Sequence, residues 1–199
     1  MVSVLLGLLV AGSGACGSSG DQVAVLETAY GRIVFEFLPD IAPKHTDAFQ
    51  KMIANGFFDG TRFHRVIPGK IIQGGDPNSR DDDPSDDGMG QPSQATIPAE
   101  FQTTVKHTRG IVSAARKGDN KDSATSQFFI CLDNEPNYDG SYSVFGRVID
   151  GMNVVDLIAN APTRKDDPKY RERPEDPVTI TRAYLSTRAA LGLPPKTDK

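Results

Sequence analysis

Chemistry in this sequence is concentrated in two apolar stretches that each carry isolated polar side chains. In Phe63-His64-Arg65-Val66-Ile67-Pro68-Gly69-Lys70-Ile71-Ile72-Gln73-Gly74-Gly75-Asp76, Arg65 and Gln73 stand among Val, Ile and Phe. In Ser126-Gln127-Phe128-Phe129-Ile130-Cys131-Leu132, Gln127 does the same. A polar group in a core-like strand must find a partner or face a cleft. A groove walled by Phe, Ile and Ala with a few fixed donors suits an extended peptide. By pattern alone, Gln73 and Gln127 could equally serve only to satisfy backbone groups.

Other chemistries find little support. The three histidines, His45, His64 and His107, have no metal-ligand spacing with another His, Cys or Glu. There is no Gly-x-Ser-x-Gly elbow, no phosphate loop and no Gly-x-Gly-x-x-Gly after a strand. The residues therefore predict no metal, no cofactor and no covalent intermediate. Five aspartates lie between Asp81 and Asp87, but not at EF-hand spacing and with no closing Glu. That run reads as a solvated acidic loop that would repel acidic peptides or attract basic ones. A formal net charge of -4 and no basic block argue against a nucleic-acid partner.

The elements that must position these residues are mostly strands. The 19 glycines and 14 prolines imply many turns. Val23 to Leu38 predicts a half-buried hairpin turning at Tyr30-Gly31, with Ile33, Phe35 and Phe37 on one face and Val34 and Glu36 on the other. Two short strands flank Pro68-Gly69. Further strands are predicted over residues 110–115, 126–132, 143–149 and 178–185. Ala42, Phe49, Met52 and Ile53 form a helical stripe that Pro43 begins and Asn55-Gly56 ends. A second helix is predicted from Met152 to Asn160. Eight short strands and two helices predict a mainly β fold, an eight-stranded closed antiparallel barrel capped by two α-helices.

The 199 residues suit one domain with tails. Met1 to Val10 is almost wholly apolar, too short to span a bilayer and similar to the core of a secretion signal. Cys16 follows Ser13-Gly14-Ala15 and precedes Gly17-Ser18-Ser19-Gly20, which resembles a bacterial lipoprotein processing site. This predicts a leader and tether over 1–20, a folded domain over 21–186 and a mobile tail over 187–199. It also predicts export to the periplasm or cell envelope, with a membrane tether through lipidated Cys16. Cys131 sits in an apolar strand and is expected to be a buried small hydrophobe, without a disulfide.

The stretch from Phe63 to Asp76 resembles the signature of the cyclophilins, which are peptidyl-prolyl cis-trans isomerases. Ser126 to Cys131, Asn137-Tyr138-Asp139-Gly140 and Val144-Phe145-Gly146-Arg147-Val148 resemble later blocks of that family in the same order. The likeness covers about residues 23 to 185. It implies an eight-stranded barrel capped by two helices, and rotation of X-Pro peptide bonds as the reaction. By position, Arg65 matches the family's catalytic arginine and Gln73 the glutamine that positions it. Ile71, Ala115, Gln127 and Phe129 match groove residues, Phe129 being the floor of the proline pocket. Gly88 matches a groove glycine, and Tyr138 and Tyr142 stand at the pocket edge.

Some positions depart from the family. Lys70 replaces the usual pocket Phe, Tyr142 replaces a His, and Arg116 stands where an Asn often contacts the substrate. Asn137 stands near a position where many members carry a Trp linked to tight cyclosporin binding. The partners implied are proline-containing peptides and unfolded proteins, bound by a monomer. The function implied is isomerisation that assists folding of secreted proteins. The alternative is a peptide-binding or scaffold module whose isomerase activity Lys70 has weakened.

Overall fold

Alternation and turn residues place the strands close to where the sequence predicts them. The computed structural model describes residues 21–196, so Cys16 and the apolar leader lie outside the described residues. The elements run β1 (Gln22–Thr28), β2 (Gly31–Phe37), α1 (Pro43–Ala54), β3 (Arg65–Ile67), β4 (Ile71–Gly74), β5 (Ile111–Ala114), β6 (Phe128–Cys131), β7 (Val144–Asp150), α2 (Met152–Ala159) and β8 (Ile180–Thr187). All ladders are antiparallel, and the sheet order is β3-β4-β6-β5-β7-β2-β1-β8.

The expected closed barrel is corrected to a curled sheet. β3 and β8 are the two ends of the order, and no ladder joins them. The seam is held instead by residues at or beyond the strand ends. Arg62 and Thr179 form a single bridge, and the Phe63 N–H donates to Val178 O at 2.9 Å. The Ile180 N–H likewise donates to Thr61 O at 2.8 Å. The other edge of β3 is taken by the loop over 161–177, where the Val66 N–H donates to Glu172 O at 2.7 Å.

The sheet curls around one apolar interior. Phe35, Val66, Ile72, Val112, Phe128, Ile130 and Phe145 point inward, and the two helices add Phe49, Ile53, Val154, Val155 and Ile158. Phe49 stacks on Phe145 with ring centroids 4.1 Å apart. α1 opens on Ala42, whose side chain cannot cap a helix, so the free N–H groups must find another acceptor. Glu100 supplies it from a distant loop, accepting from the Lys44 and His45 N–H groups at 3.0 Å each. The same carboxylate lies 2.7 Å from His45 Nδ1.

The outer face of β1 and β2 differs from the expected half-wet hairpin. Val23, Val25, Val34 and Glu36 are buried there. The cover is the segment expected to be a mobile tail. β8 continues to Thr187, a 3-10 turn follows at Ala189–Leu191, and Leu191 and Leu193 pack on the three valines. Arg188 turns inward and donates to Glu36 at 2.6 Å, while Arg147 donates to the other oxygen at 2.6 and 3.0 Å. Burial alone would raise the Glu36 pKa, but the two guanidinium groups outweigh it and hold the carboxyl below its usual range. A buried carboxylate that loses one of two partners is costly. Arg188→Ala is therefore expected to destabilise the fold by roughly 1–3 kcal/mol, read as a lower urea midpoint at an unchanged slope.

Candidate active site

Period-two alternation sends Val66, Ile72, Ile130 and Val112 into the core and their chain neighbours outward. The register makes those neighbours one row: Arg65 faces Gln73, Gln73 faces Phe129, and Phe129 faces Ser113. The turn that sets this register is Ile67-Pro68-Gly69-Lys70. Gly69 has φ 71°, and the Lys70 N–H closes the turn on Ile67 O at 2.9 Å. Gly75, at φ 83°, lets β4 approach the next strand; a Cβ there would sit 2.6 Å from Ser126 O.

The row opens into a cleft of about 560 Å³ on the outer face of the sheet. Arg65, Ile71, Gln73 and Phe129 line it, with Gly88, Ala115, Tyr138 and Tyr142. Gln127 lies in a side groove that shares Gln73, Gly88 and Ala115 with the cleft. Every site residue named from sequence within the described residues is thus brought to one place. Phe129 forms the apolar floor with Ile71 and Cys131. Tyr138 and Tyr142 meet its ring edge-on at 5.5 and 5.2 Å. Burial pushes the Cys131 thiol up to about 12, so it serves as packing and not as a nucleophile.

The polar groups form a continuous chain. The Asp76 carboxylate accepts from Gln127 Nε2 at 3.2 Å, and Gln127 Nε2 also donates to Gly88 O at 2.9 Å. Gln127 Oε1 accepts from Gln73 Nε2 at 3.0 Å, and Gln73 Oε1 accepts from Arg65 Nη1 at 3.3 Å. Arg65 Nε donates to Glu172 at 2.6 Å. The glutamines therefore serve each other and the arginine, not backbone groups alone.

Several contributors were invisible in the sequence. Lys169, Tyr170, Glu172 and Arg173 reach the cleft from the charged loop over 161–177. The acidic loop is only partly the solvated segment expected. Asp82 is exposed and pairs with Arg62, whereas Asp87 is buried in an ion pair with Arg173. Beneath Phe129, Asp139, His107 and Ser113 line up: His107 Nδ1 is 3.2 Å from Asp139, and His107 Nε2 is 3.0 Å from Ser113 Oγ. The order matches a nucleophilic triad, but Ser113 is fully buried and no substrate carbonyl can reach it. The His107 ring stacks on Phe129 instead, 6.1 Å away, and so braces the floor.

Lys70 is not among the residues that line the cleft. Its Nζ sits over the Tyr138 ring at 5.4 Å and 3.7 Å from Glu135. Arg116 similarly lies over Tyr142 at 4.9 Å. Lys70 backs its tyrosine wall from outside, Arg116 lines the cleft beside Tyr142, and the tyrosines supply the aromatic surface that Lys70 does not.

A family model described as "Cyclophilin type peptidyl-prolyl cis-trans isomerase/CLD" matches residues 23–185. The chain belongs to the cyclophilins. A probable peptidyl-prolyl cis-trans isomerase of Brucella abortus is 38% identical over 148 residues, 72% of this chain and 74% of that one. A peptidyl-prolyl cis-trans isomerase of Acinetobacter baylyi is 36% identical over 193 residues, covering 94% and 95%. A Cryptosporidium parvum cyclophilin-type isomerase, crystallised in the presence of the dipeptide Ala-Pro, has a TM-score of 0.73 at 30% identity, over 83% of this chain and 99% of that one. This cyclophilin is accordingly a peptidyl-prolyl cis-trans isomerase.

His64, next to Arg65, looks chemical but is buried, with no side-chain partner among the described residues. Desolvation lowers its pKa from 6.5 to about 4, against the pull of Asp76. The unfolded chain binds that proton near pH 6.5, while the folded one refuses it until about pH 4. Stability is thus complete above about pH 6.5 and falls as pH drops toward 4, by roughly 3 kcal/mol for this residue. Thermal unfolding across that range should show the fall, and His64→Gln should lessen it, the remainder belonging to His45 and His107, whose burial also lowers their pKa values.

Proposed function

We propose that Arg65 is the group that catalyses rotation of X-Pro bonds in peptides laid along this cleft, and that the protein does so for exported clients. The observation that carries the catalytic reading is the row that places Arg65 beside Gln73 and the Phe129 floor. Rotation breaks no bond, but it must cross a barrier of roughly 20 kcal/mol set by amide resonance. At the twisted geometry resonance is lost, and the proline nitrogen regains a lone pair. A fixed donor aimed at that nitrogen stabilises the twisted amide more than the planar one, which is the condition for catalysis.

Arg65 meets the requirement because its guanidinium stays charged and carries several donors in a rigid fork. Phe129, with Ile71 and the two tyrosines, offers an apolar socket for the proline ring. Gln73 holds the guanidinium and has its own amide oriented by Gln127. The rest of the peptide then turns about a fixed ring. Ala115, Gly88 and Gln127 lie along the side groove, where the residues before proline would run. Removing one preorganised donor from a transition state costs about 10²–10³ in rate. Arg65→Ala is expected to lose that much kcat/KM in an NMR-exchange assay on a short X-Pro peptide, with an unchanged circular dichroism spectrum. Full retained activity would overturn the role.

Export and tethering rest on the sequence of residues 1–20: the apolar run, the small residues before Cys16 and the Ser/Gly stretch after it. Clients would then be unfolded proteins of the envelope. Expressed in a bacterium that processes lipoproteins, the full chain should fractionate with membranes, and Cys16→Ser should release it. Membrane association that survives Cys16→Ser would rule out the lipid tether.

A further inference from the structure

We infer that Glu172 is a positioning residue for the isomerase reaction, fixing the edge of the Arg65 guanidinium that Gln73 does not hold. The inference rests on the reading of Arg65 as the donor to the twisted amide. Glu172 is not on the strands that build the site. It comes from a loop more than a hundred positions along the chain, and three contacts place it. Its own carbonyl accepts the Val66 N–H at 2.7 Å, so it continues the hydrogen bonding of β3. Its neighbour Arg173 is buried against Asp87. The loop closes on itself through the Thr163–Pro174 bridge and the Arg164 N–H donating to Arg173 O at 3.0 Å. The backbone on both sides of Glu172 is therefore anchored.

The side chain uses that anchorage in one way: its carboxylate accepts from Arg65 Nε at 2.6 Å. Gln73 accepts from Nη1 at 3.3 Å, a longer bond to an uncharged acceptor. A guanidinium has five N–H donors. These two contacts take one each from different nitrogens, so the plane cannot rotate and the remaining donors are left for the substrate. Without Glu172 the hydrogen bond left to the guanidinium among the described residues is the longer one to Gln73, on a side chain that is 42% exposed.

The carboxylate also opposes the positive charge that Arg65 presents, which would weaken catalysis. The half-exposed setting decides between the two effects. Solvent screens the charge of an exposed pair, whereas a donor misaligned with the reacting atom loses directional hydrogen bonding. Holding therefore outweighs neutralising.

The test compares Glu172→Ala, Glu172→Gln and Arg65→Ala by kcat and KM on a short X-Pro peptide, with the Arg65 Nε–H resonance followed by NMR. Glu172→Ala is expected to lower kcat about tenfold, a fraction of what loss of the whole donor costs. KM should be little changed, and the Nε–H signal should broaden by exchange with water. Glu172→Gln keeps an acceptor at the same reach and is expected to restore kcat to within about threefold. The inference falls if both variants gain activity, because the carboxylate is then a brake. It falls if both lose equally, because charge and not position then matters. It falls if Glu172→Ala matches the unaltered protein while Arg65→Ala is inactive. An active Arg65→Ala would overturn the catalytic reading itself and this inference with it.

Discussion

The site depends on register. In a strand pair a slip of one residue sends every side chain to the opposite face. Here the inner row is Val66, Ile72, Ile130 and Val112, and the outer row is Arg65, Gln73, Phe129 and Ser113. A slip of β3 would bury the Arg65 guanidinium among Phe and Ile side chains and expose Val66. Burying an unpaired charge costs several kcal/mol. The apolar core therefore enforces the geometry of the outward row that lines the cleft.

Polar continuity is the second layer. Asp76, Gln127, Gln73, Arg65 and Glu172 form one chain of hydrogen bonds along the edge of the cleft. Each amide in it donates on one side and accepts on the other, so the amide orientations are mutually fixed. Carboxylates terminate both ends, which suits a chain with an arginine near one of them. Asp76 also accepts the Asn78 and Gly90 N–H groups, tying the loop beyond β4 to the same network. The floor is braced in a similar manner, with Phe129 backed by His107 and His107 backed by Asp139 and Ser113.

Local signals made much of this legible in the sequence. The runs around Pro68-Gly69 read as two strands with Arg65 and Gln73 as polar exceptions, and residues 126–132 as an apolar strand in which only the family resemblance singles out Phe129. Pro43 and Asn55-Gly56 bounded α1 correctly. What stayed hidden depends on pairings between distant residues. Nothing near Ala42 announces that Glu100 will cap the helix, and nothing near residue 190 announces that Leu191 and Leu193 will cover Val23, Val25 and Val34. Strand counting assumes ladders and so predicts closure between β3 and β8, where single bonds from Phe63 and Ile180 close the curl instead. Chain position puts Lys70 at the pocket, whereas its ammonium turns onto Tyr138.

The aspartate run shows how one composition can hold two environments. The Asp82 side chain is 94% exposed and that of Asp87 is 6% exposed, five residues apart. Asp82 faces water and neutralises Arg62 at little gain. Asp87 gives up hydration for Arg173, and such a buried pair returns little net stability, because desolvation offsets the attraction. What it gives is definition. In the arrangement of the 161–177 loop that brings Arg173 to Asp87, Glu172, the adjacent residue, meets Arg65. A loop that looked like a solvated linker is thereby registered against the acidic loop across the cleft.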